Sequence, residues 1–124
     1  MTLVQSINAT IEWWQLMINW VGKQPEADPV DGDRLYRDLD CSWMRASCPL
    51  CSYWKNVCKH CPMYPHCVET KESVWHKVGM SRSAGEWLVH AKQMIVLLTD
   101  VRKRVKQKAK RIARSRYWEY GMRS

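Results

Sequence analysis

The chain is 124 residues long, is 46% hydrophobic and 26% charged, and carries a formal net charge of +8 at pH 7. A chain of this length fits one domain, and because it has no run of about 18 apolar residues, a transmembrane helix is not expected. Tryptophan occurs eight times while phenylalanine is absent, so indole rings are expected to supply much of the core.

The charge is unevenly distributed along the chain. Residues 1–69 contain 6 Lys/Arg and 8 Asp/Glu, which gives a net charge of −2. Residues 70–124 contain 14 Lys/Arg and 4 Asp/Glu, which gives +10. All of the positive excess therefore lies in the C-terminal part, and this asymmetry suggests an anionic partner for that part.

Residues 2–22 predict an amphipathic helix that begins at a Thr2 cap and ends at Gly22. Apolar residues recur at steps of three and four, which is the pattern of a helix that faces a core. A signal peptide is not indicated, because no basic leader is present and polar residues interrupt the apolar run. The apolar positions are Val4, Ile7, Ile11, Trp14, Ile18 and Val21.

A loop is predicted to follow over residues 23–33, where prolines and a glycine disfavour helix and acidic residues favour contact with water. Asp33 is a suitable cap for a short helix over 34–44. A second short helix is predicted around Ser73–Val78, in the connection between the cysteine-rich stretch and the last element.

All six cysteines lie within residues 41–67, and four of them form two Cys-x-x-Cys pairs separated by six residues. A Cys-x-x-Cys turn directs two thiolates at one ion, and two such turns complete a tetrahedral site. We therefore expect a compact knuckle that holds one structural zinc ion, with Cys67 able to replace one of the four paired cysteines. The candidate metal ligands are Cys48, Cys51, Cys58, Cys61 and Cys67.

An iron–sulfur cluster is the main alternative to zinc. Pro62 follows Cys61 as in ferredoxin runs, although the cysteine spacing differs from such a run. Disulfides are less favoured, because nothing in the sequence indicates an oxidising compartment. His60 and His66 are expected to lie outside the ligand set, and Cys41 is expected to be a buried thiol.

Two aromatic residues, Tyr53 and Trp54, lie between the Cys-x-x-Cys pairs. We expect them to cover the metal, because small metal sites need an apolar shell. Stacking on unpaired bases is the alternative, since that is how zinc knuckles hold single-stranded nucleic acid.

The last predicted element is a long helix from about residue 84 to 116 or beyond. Ser83 and Glu86 have the spacing of a capping box at its start. Its apolar positions then follow a heptad-like pattern, so its first half is expected to pack against the N-terminal helix. The helix is longer than so small a domain requires, and its second half is expected to project.

Residues 101–116 hold nine Lys/Arg and no acidic residue, and they keep only a narrow apolar face. Such a run favours an anion-binding helix over a merely solvated basic helix, and contact with six or more phosphates would make binding strongly dependent on salt. The candidate nucleic-acid or partner contacts are Arg102, Lys103, Arg104, Lys106, Lys108, Lys110, Arg111, Arg114 and Arg116.

One layout spans most of the chain: a helix with a tryptophan, two Cys-x-x-Cys pairs, a later cysteine and a C-terminal helix. Its pieces are Trp14, CPLC (48–51), CKHCP (58–62), Cys67 and AKQMIVLL (91–98). This layout resembles small uncharacterised bacteriophage-encoded proteins with a CxxC…CxxCP…C knuckle between two helices. The resemblance implies a viral origin and supplies no activity. Cys41 and the basic extension depart from the pattern.

Together these patterns predict a mainly α fold, in which an N-terminal helix packs on a long C-terminal helix and a metal-binding cysteine knuckle bridges them. We expect one α domain over 1–100, with the knuckle at 41–67, and a basic helical extension over 101–124. Neither a Ser/His/Asp set nor a glycine-rich phosphate loop is present, so an enzyme is not expected.

The function expected is that of a non-enzymatic, zinc-stabilised, phage-type protein that binds nucleic acid or a ribonucleoprotein through its basic helix. One alternative is a protein-interaction factor, such as a phage inhibitor of a host enzyme or defence complex. The other is an iron–sulfur redox or sensor protein. A membrane partner is not expected, and a phage-encoded chain of this kind would act in the host cytoplasm.

Overall fold

A computed structural model describes residues 2–39, 49–54, 61–63, 66 and 73–123, without the side chains of 51–52 and 117–123. These ranges contain helices and no β-strand, which confirms the mainly α class. The helices are α1 (Leu3–Val21), α2 (Gly32–Asp38), α3 (Pro49–Tyr53), α4 (Val74–Gly79) and α5 (Ala84–Arg123).

The core forms where α1 packs against the first half of α5, as the apolar patterns of both segments predict. The stripe on α1 buries both small and large side chains, and the facing stripe on α5 does the same. From α1 the buried apolar residues are Ile7, Ile11, Trp13, Trp14, Met17 and Val21. From α5 they are Ala84, Trp87, Ala91, Met94, Leu98 and Val101.

Both ends of α1 follow the sequence signals. Thr2 Oγ1 accepts a hydrogen bond from Gln5 N–H at 3.1 Å, and Gln5 Oε1 accepts one from Thr2 N–H at 2.8 Å. This reciprocal capping box satisfies two donors that a helix N-terminus otherwise leaves unpaired. Gly22 is the C-cap residue, as predicted.

Helix α2 begins earlier than expected and is shorter. Its cap is Asp31 rather than Asp33, because Asp31 Oδ1 accepts a hydrogen bond from Arg34 N–H at 3.2 Å. Asp33 lies instead in the first turn, where its negative charge interacts favourably with the helix dipole. The helix ends at Asp38, so the predicted span of 34–44 is wrong at both ends.

The start of α5 is held by the acidic loop that precedes α2. Ala84 N–H donates to the carbonyl of Asp28 at 2.7 Å, and Gly85 N–H donates to that of Glu26 at 3.0 Å. A Cβ atom on Gly85 would lie 2.8 Å from Glu26 Cγ, so glycine permits this approach. The loop therefore satisfies donors at the N-terminus of the longest helix.

The predicted capping box of α5 is half present. Ser83 Oγ accepts a hydrogen bond from Glu86 N–H at 3.2 Å. The Glu86 carboxylate accepts from Arg82 N–H at 3.4 Å rather than from Ser83 N–H. From this start α5 runs for 40 residues, which is about 60 Å of continuous helix.

None of the helices in the described ranges combines the length and apolarity that a membrane span requires.

Replacement of Leu98 by alanine tests the α1–α5 core. Leu98 is 1% exposed, so we expect the free energy of unfolding to fall by about 2–5 kcal/mol. Leu16→Ala is the matched control, because Leu16 is 49% exposed on α1 and should lose less than about 0.5 kcal/mol. Urea unfolding of both variants measures the difference, and equal losses would contradict this core.

Candidate nucleic-acid interface

The second half of α5 extends beyond the core. Val101 is 7% exposed and Val105 still packs against the core, but every side chain from 106 to 116 is exposed. Ile112, on the narrow apolar face, is 45% exposed. The helix from 106 to 116 therefore projects by about 16 Å without a packing partner among the described residues.

Two of the nine candidate cations are engaged within the chain. Arg102 Nη1 donates to Asn8 Oδ1 on α1 at 2.9 Å, and Arg102 is partly buried. Arg104 forms an ion pair with Asp100 at 2.8 Å, one turn earlier on the same helix. Arg102 thus links the start of the projecting segment to α1. Asp100 compensates part of the charge of Arg104.

Four other cations form one row along α5. Lys103, Lys106, Lys110 and Arg114 are separated by three, four and four residues, so they lie on one face, opposite the side that Leu98 and Val101 bury. We call these four residues the outer stripe. Two shallow depressions run beside it, and Gln107 and Lys110 border both of them.

The remaining cations cover the other sides of the projecting segment. Lys108, Arg111 and Arg116 lie off the outer stripe and are exposed. With α-helical geometry, the Lys and Arg residues of 106–116 leave no sector wider than about 80° around the axis without a cation. The segment is therefore positive on all sides, and 101–116 contains no acidic residue.

Two of the six cysteines, Cys51 and Cys61, lie in the described ranges, and a residue close to each is buried in the core. Cys51 belongs to α3, and its neighbour Leu50 is 1% exposed. Cys61 is partly buried and packs against the core, and Met63 close to it is 1% exposed. Residues within the predicted knuckle are thus packed on the helical core.

The predicted ligand set itself lies largely outside the described residues. This applies to Cys48, Cys58 and Cys67, as well as to Cys41 and His60. The side chain of Cys51 is outside them too. Among the side chains that the structure does describe, no three of His, Cys, Asp or Glu converge as a metal site would require. Zinc ligation therefore stays a prediction.

The two aromatic residues predicted to cover the metal pack against each other. The Tyr53 and Trp54 rings are 5.2 Å apart at an interplanar angle of 86°. Tyr53 is 38% exposed, whereas Trp54 packs against the core.

His66, which was expected to lie outside the ligand set, is half-buried, and its backbone N–H donates to the Met63 carbonyl at 2.9 Å.

A buried hydroxyl on α1 supports the helix that carries Cys51. Thr10 is 2% exposed, and its Oγ1 accepts a hydrogen bond from Leu50 N–H at 3.1 Å and donates one to the Ser6 carbonyl at 2.8 Å. Pro49 precedes Leu50 and has no N–H to satisfy. Thr10 thus caps α3 from another helix, across a separation of 40 residues.

Thr10→Val is expected to lower the free energy of unfolding by about 1–3 kcal/mol, because it leaves the buried Leu50 N–H without its acceptor. Thr10→Ser keeps the hydroxyl and loses only a methyl group, so it serves as the control and should cost less. Chemical denaturation measures both. A larger loss for the serine variant would show that the methyl group, rather than the hydrogen bond, stabilises this contact.

Two features of this region have no local sequence signal. Asn8 and Arg102 are 94 residues apart, so their hydrogen bond follows only from the packing of α1 on α5. The hydrogen bonds from the acidic loop to α5 are also long-range.

Comparison with protein-family models, with curated proteins and with solved structures finds no match to the chain.

Proposed function

We propose that this chain is a non-enzymatic protein that binds nucleic acid, alone or within a ribonucleoprotein, through the projecting basic segment of α5. The observation that carries the proposal is the exposure of every side chain from 106 to 116 in a segment that is rich in cations and lacks acids. Lys and Arg side chains that neutralise phosphates release counterions, and this release drives sequence-independent binding.

The dimensions of the segment suit a duplex. The outer stripe extends over about 17 Å of helix axis. A DNA duplex presents one negative charge per about 1.7 Å, so this length faces about ten phosphate charges. The phosphate charges over this length of duplex therefore outnumber the four cations of the outer stripe.

The distribution of charge favours insertion into a groove over contact with one face. An α-helix is about 10–12 Å wide with its side chains, and the major groove of B-DNA is about 12 Å wide. A helix in that groove has phosphates on both sides, and the cations of 106–116 lie on all sides of the axis. Double-stranded RNA fits less well, because its major groove is deep and narrow.

A membrane-surface role has less support from the same segment. Helices that lie on membranes pair a basic face with a broad apolar face that carries bulky anchors. Beyond Val105, the apolar residues up to residue 116 are only Ala109, Ile112 and Ala113.

Because contacts to phosphates carry no sequence information, we expect weak sequence specificity on DNA.

We also propose that zinc holds the cysteine-rich stretch, with four of the five candidate ligands completing a closed site. Thiolate ligands and the Cys-x-x-Cys spacing support zinc, which supplies folding energy in such a site and performs no reaction there. The packing of Leu50 and Met63 supports a knuckle docked on the core.

The decisive test of the proposed function is binding of labelled duplex DNA by the 124-residue chain before and after reversal of the outer-stripe charges. Loss of binding in that variant supports the proposal, and unchanged binding would overturn it.

A further inference from the structure

A cavity of about 310 Å³ lies among α1, α2, α4 and α5, near the start of α5. Its volume falls at the lower end of the range for small-molecule sites. Along α5, Trp87 in its wall is 16 residues from Lys103, which is about 24 Å. The cavity is thus separate from the basic segment, and no inference about it depends on nucleic-acid binding.

Indole rings dominate the wall of this cavity. The Trp14 ring lies 5.5 Å from Trp13, 5.6 Å from Trp75 and 6.1 Å from Trp87, measured between centroids. Tyr36 adds a fifth aromatic side chain. The four indole rings contact one another, and the wall is rich in π electrons.

Trp75 is a solvent-exposed part of this aromatic wall. It lies on α4 and is 41% exposed, whereas Trp13, Trp14 and Trp87 are buried. Its ring meets Trp14 edge to face, at an interplanar angle of 87°. A large indole that lines a cavity and is exposed to solvent is available to a ligand.

The segment beside the aromatic wall is acidic. Residues 26–33 contain four Asp/Glu and no Lys/Arg, although the whole chain carries +8. Val30 and Gly32 of this segment line the cavity. The nearest Lys/Arg residue after it, Arg34, lies over the Trp20 ring at 5.8 Å and contacts Asp38 at 3.7 Å. Negative charge is therefore concentrated in the segment at this edge of the cavity, whereas Lys77 and Arg82 are next in sequence to the lining residues Val78 and Ser81.

We propose that this cavity is a binding site for a quaternary ammonium group. Indole faces attract such a cation more strongly than other aromatic rings do. The acidic segment supplies complementary charge, and the methyl groups around the nitrogen need no hydrogen-bond acceptor from the wall. A neutral ligand of the same shape would gain only the apolar contacts.

Choline and 3,3-dimethylbutan-1-ol are a matched pair of probes, because they differ chiefly in a charged nitrogen against a neutral carbon. Isothermal titration calorimetry and ligand-observed NMR on the full chain, with chloride concentration held constant, measure both. We expect choline to bind about tenfold more tightly than the alcohol. Equal binding of the two, or binding of neither, would overturn the proposal.

Variants separate the two sources of selectivity. Trp75→Leu keeps an apolar side chain but removes the exposed ring, and should lower choline affinity while affecting the alcohol little. Asp28→Asn combined with Asp31→Asn should act in the same direction, since asparagine preserves the cap of α2.

The control for the acidic segment is Glu12→Gln combined with Asp100→Asn, which removes two exposed acids elsewhere and should leave choline binding unchanged. A thermal unfolding curve for each variant confirms that it is folded. If the control lowers choline affinity as much as the acidic-segment variant, net charge rather than a local site explains the preference for choline, and the proposal fails.

Discussion

Replacement of the four outer-stripe residues by glutamate is expected to weaken binding to duplex DNA about a hundredfold or more at moderate salt. Each change removes one phosphate contact and places a negative charge beside the same phosphate. The slope of log affinity against log salt concentration should become shallower by about 3.6, since each phosphate contact contributes about 0.9. Fluorescence anisotropy of a labelled duplex over a series of salt concentrations measures both quantities.

The structure determines which cations belong in this variant. Arg102 is excluded because it donates to Asn8, so its replacement would disturb the packing of α5 on α1. Arg104 is excluded because Asp100 already compensates part of its charge. The outer stripe makes no such contact to another helix, and its side chains are exposed. A loss of binding can then be assigned to the interface itself.

A control with the same change in net charge separates a local interface from general attraction. Lys23, Arg37, Arg82 and Lys92 are exposed and lie outside 101–116, so their replacement by glutamate changes the net charge equally. We expect this control to lose less than about threefold in affinity, because distant surface charges are largely screened. Equal losses in the two variants would mean that net charge alone drives binding, and circular dichroism checks that α5 remains helical.

The sequence predicted α1 and α5 well because each helix carries a long, regular signal. Apolar residues at steps of three and four define the buried side of α1 over 19 residues, and the same period on α5 predicts which residues face it. The length of the predicted helix likewise indicated that its second half leaves the core, because so small a domain cannot cover it. These features depend on periodicity and length, which a single sequence contains.

The start of α2 could not be assigned from the sequence because two aspartates compete for the cap. Asp31 and Asp33 are both good cap residues, and the choice depends on how Leu35 reaches the core. The tryptophan cavity was missed for a related reason. Its wall combines residues from four helices, and eight tryptophans in a small chain are more simply interpreted as core.

Zinc is expected to be present at about one ion per chain in protein purified under reducing conditions, and its removal should destabilise the fold. With free zinc at a thousandfold excess over its dissociation constant, binding to the folded state alone contributes about 4 kcal/mol. Chelation should therefore lower the midpoint of thermal unfolding strongly, and added zinc should restore it. Elemental analysis and differential scanning calorimetry on the same preparation measure the two effects.

Serine substitutions test the ligand set one thiol at a time. Four of the five single substitutions at the candidate ligands should each lose zinc and stability, because a missing thiolate opens the tetrahedral site. Cys41→Ser is the matched control and should keep both. Comparison of Cys48→Ser, Cys51→Ser, Cys58→Ser, Cys61→Ser and Cys67→Ser shows whether Cys67 replaces one of the paired cysteines, since the thiol outside the set can be lost without loss of metal.

Iron in place of zinc, with a visible absorption band that Cys58→Ser abolishes, would assign a cluster to these cysteines and favour a redox or sensor role. The basic segment would then serve to dock the redox or sensor protein on its partner. Protein that contains no metal under reducing conditions and is unaffected by chelation would contradict the knuckle itself. The stability of the chain would then rest on the α1–α5 core, and Leu98→Ala should be more damaging than any cysteine substitution.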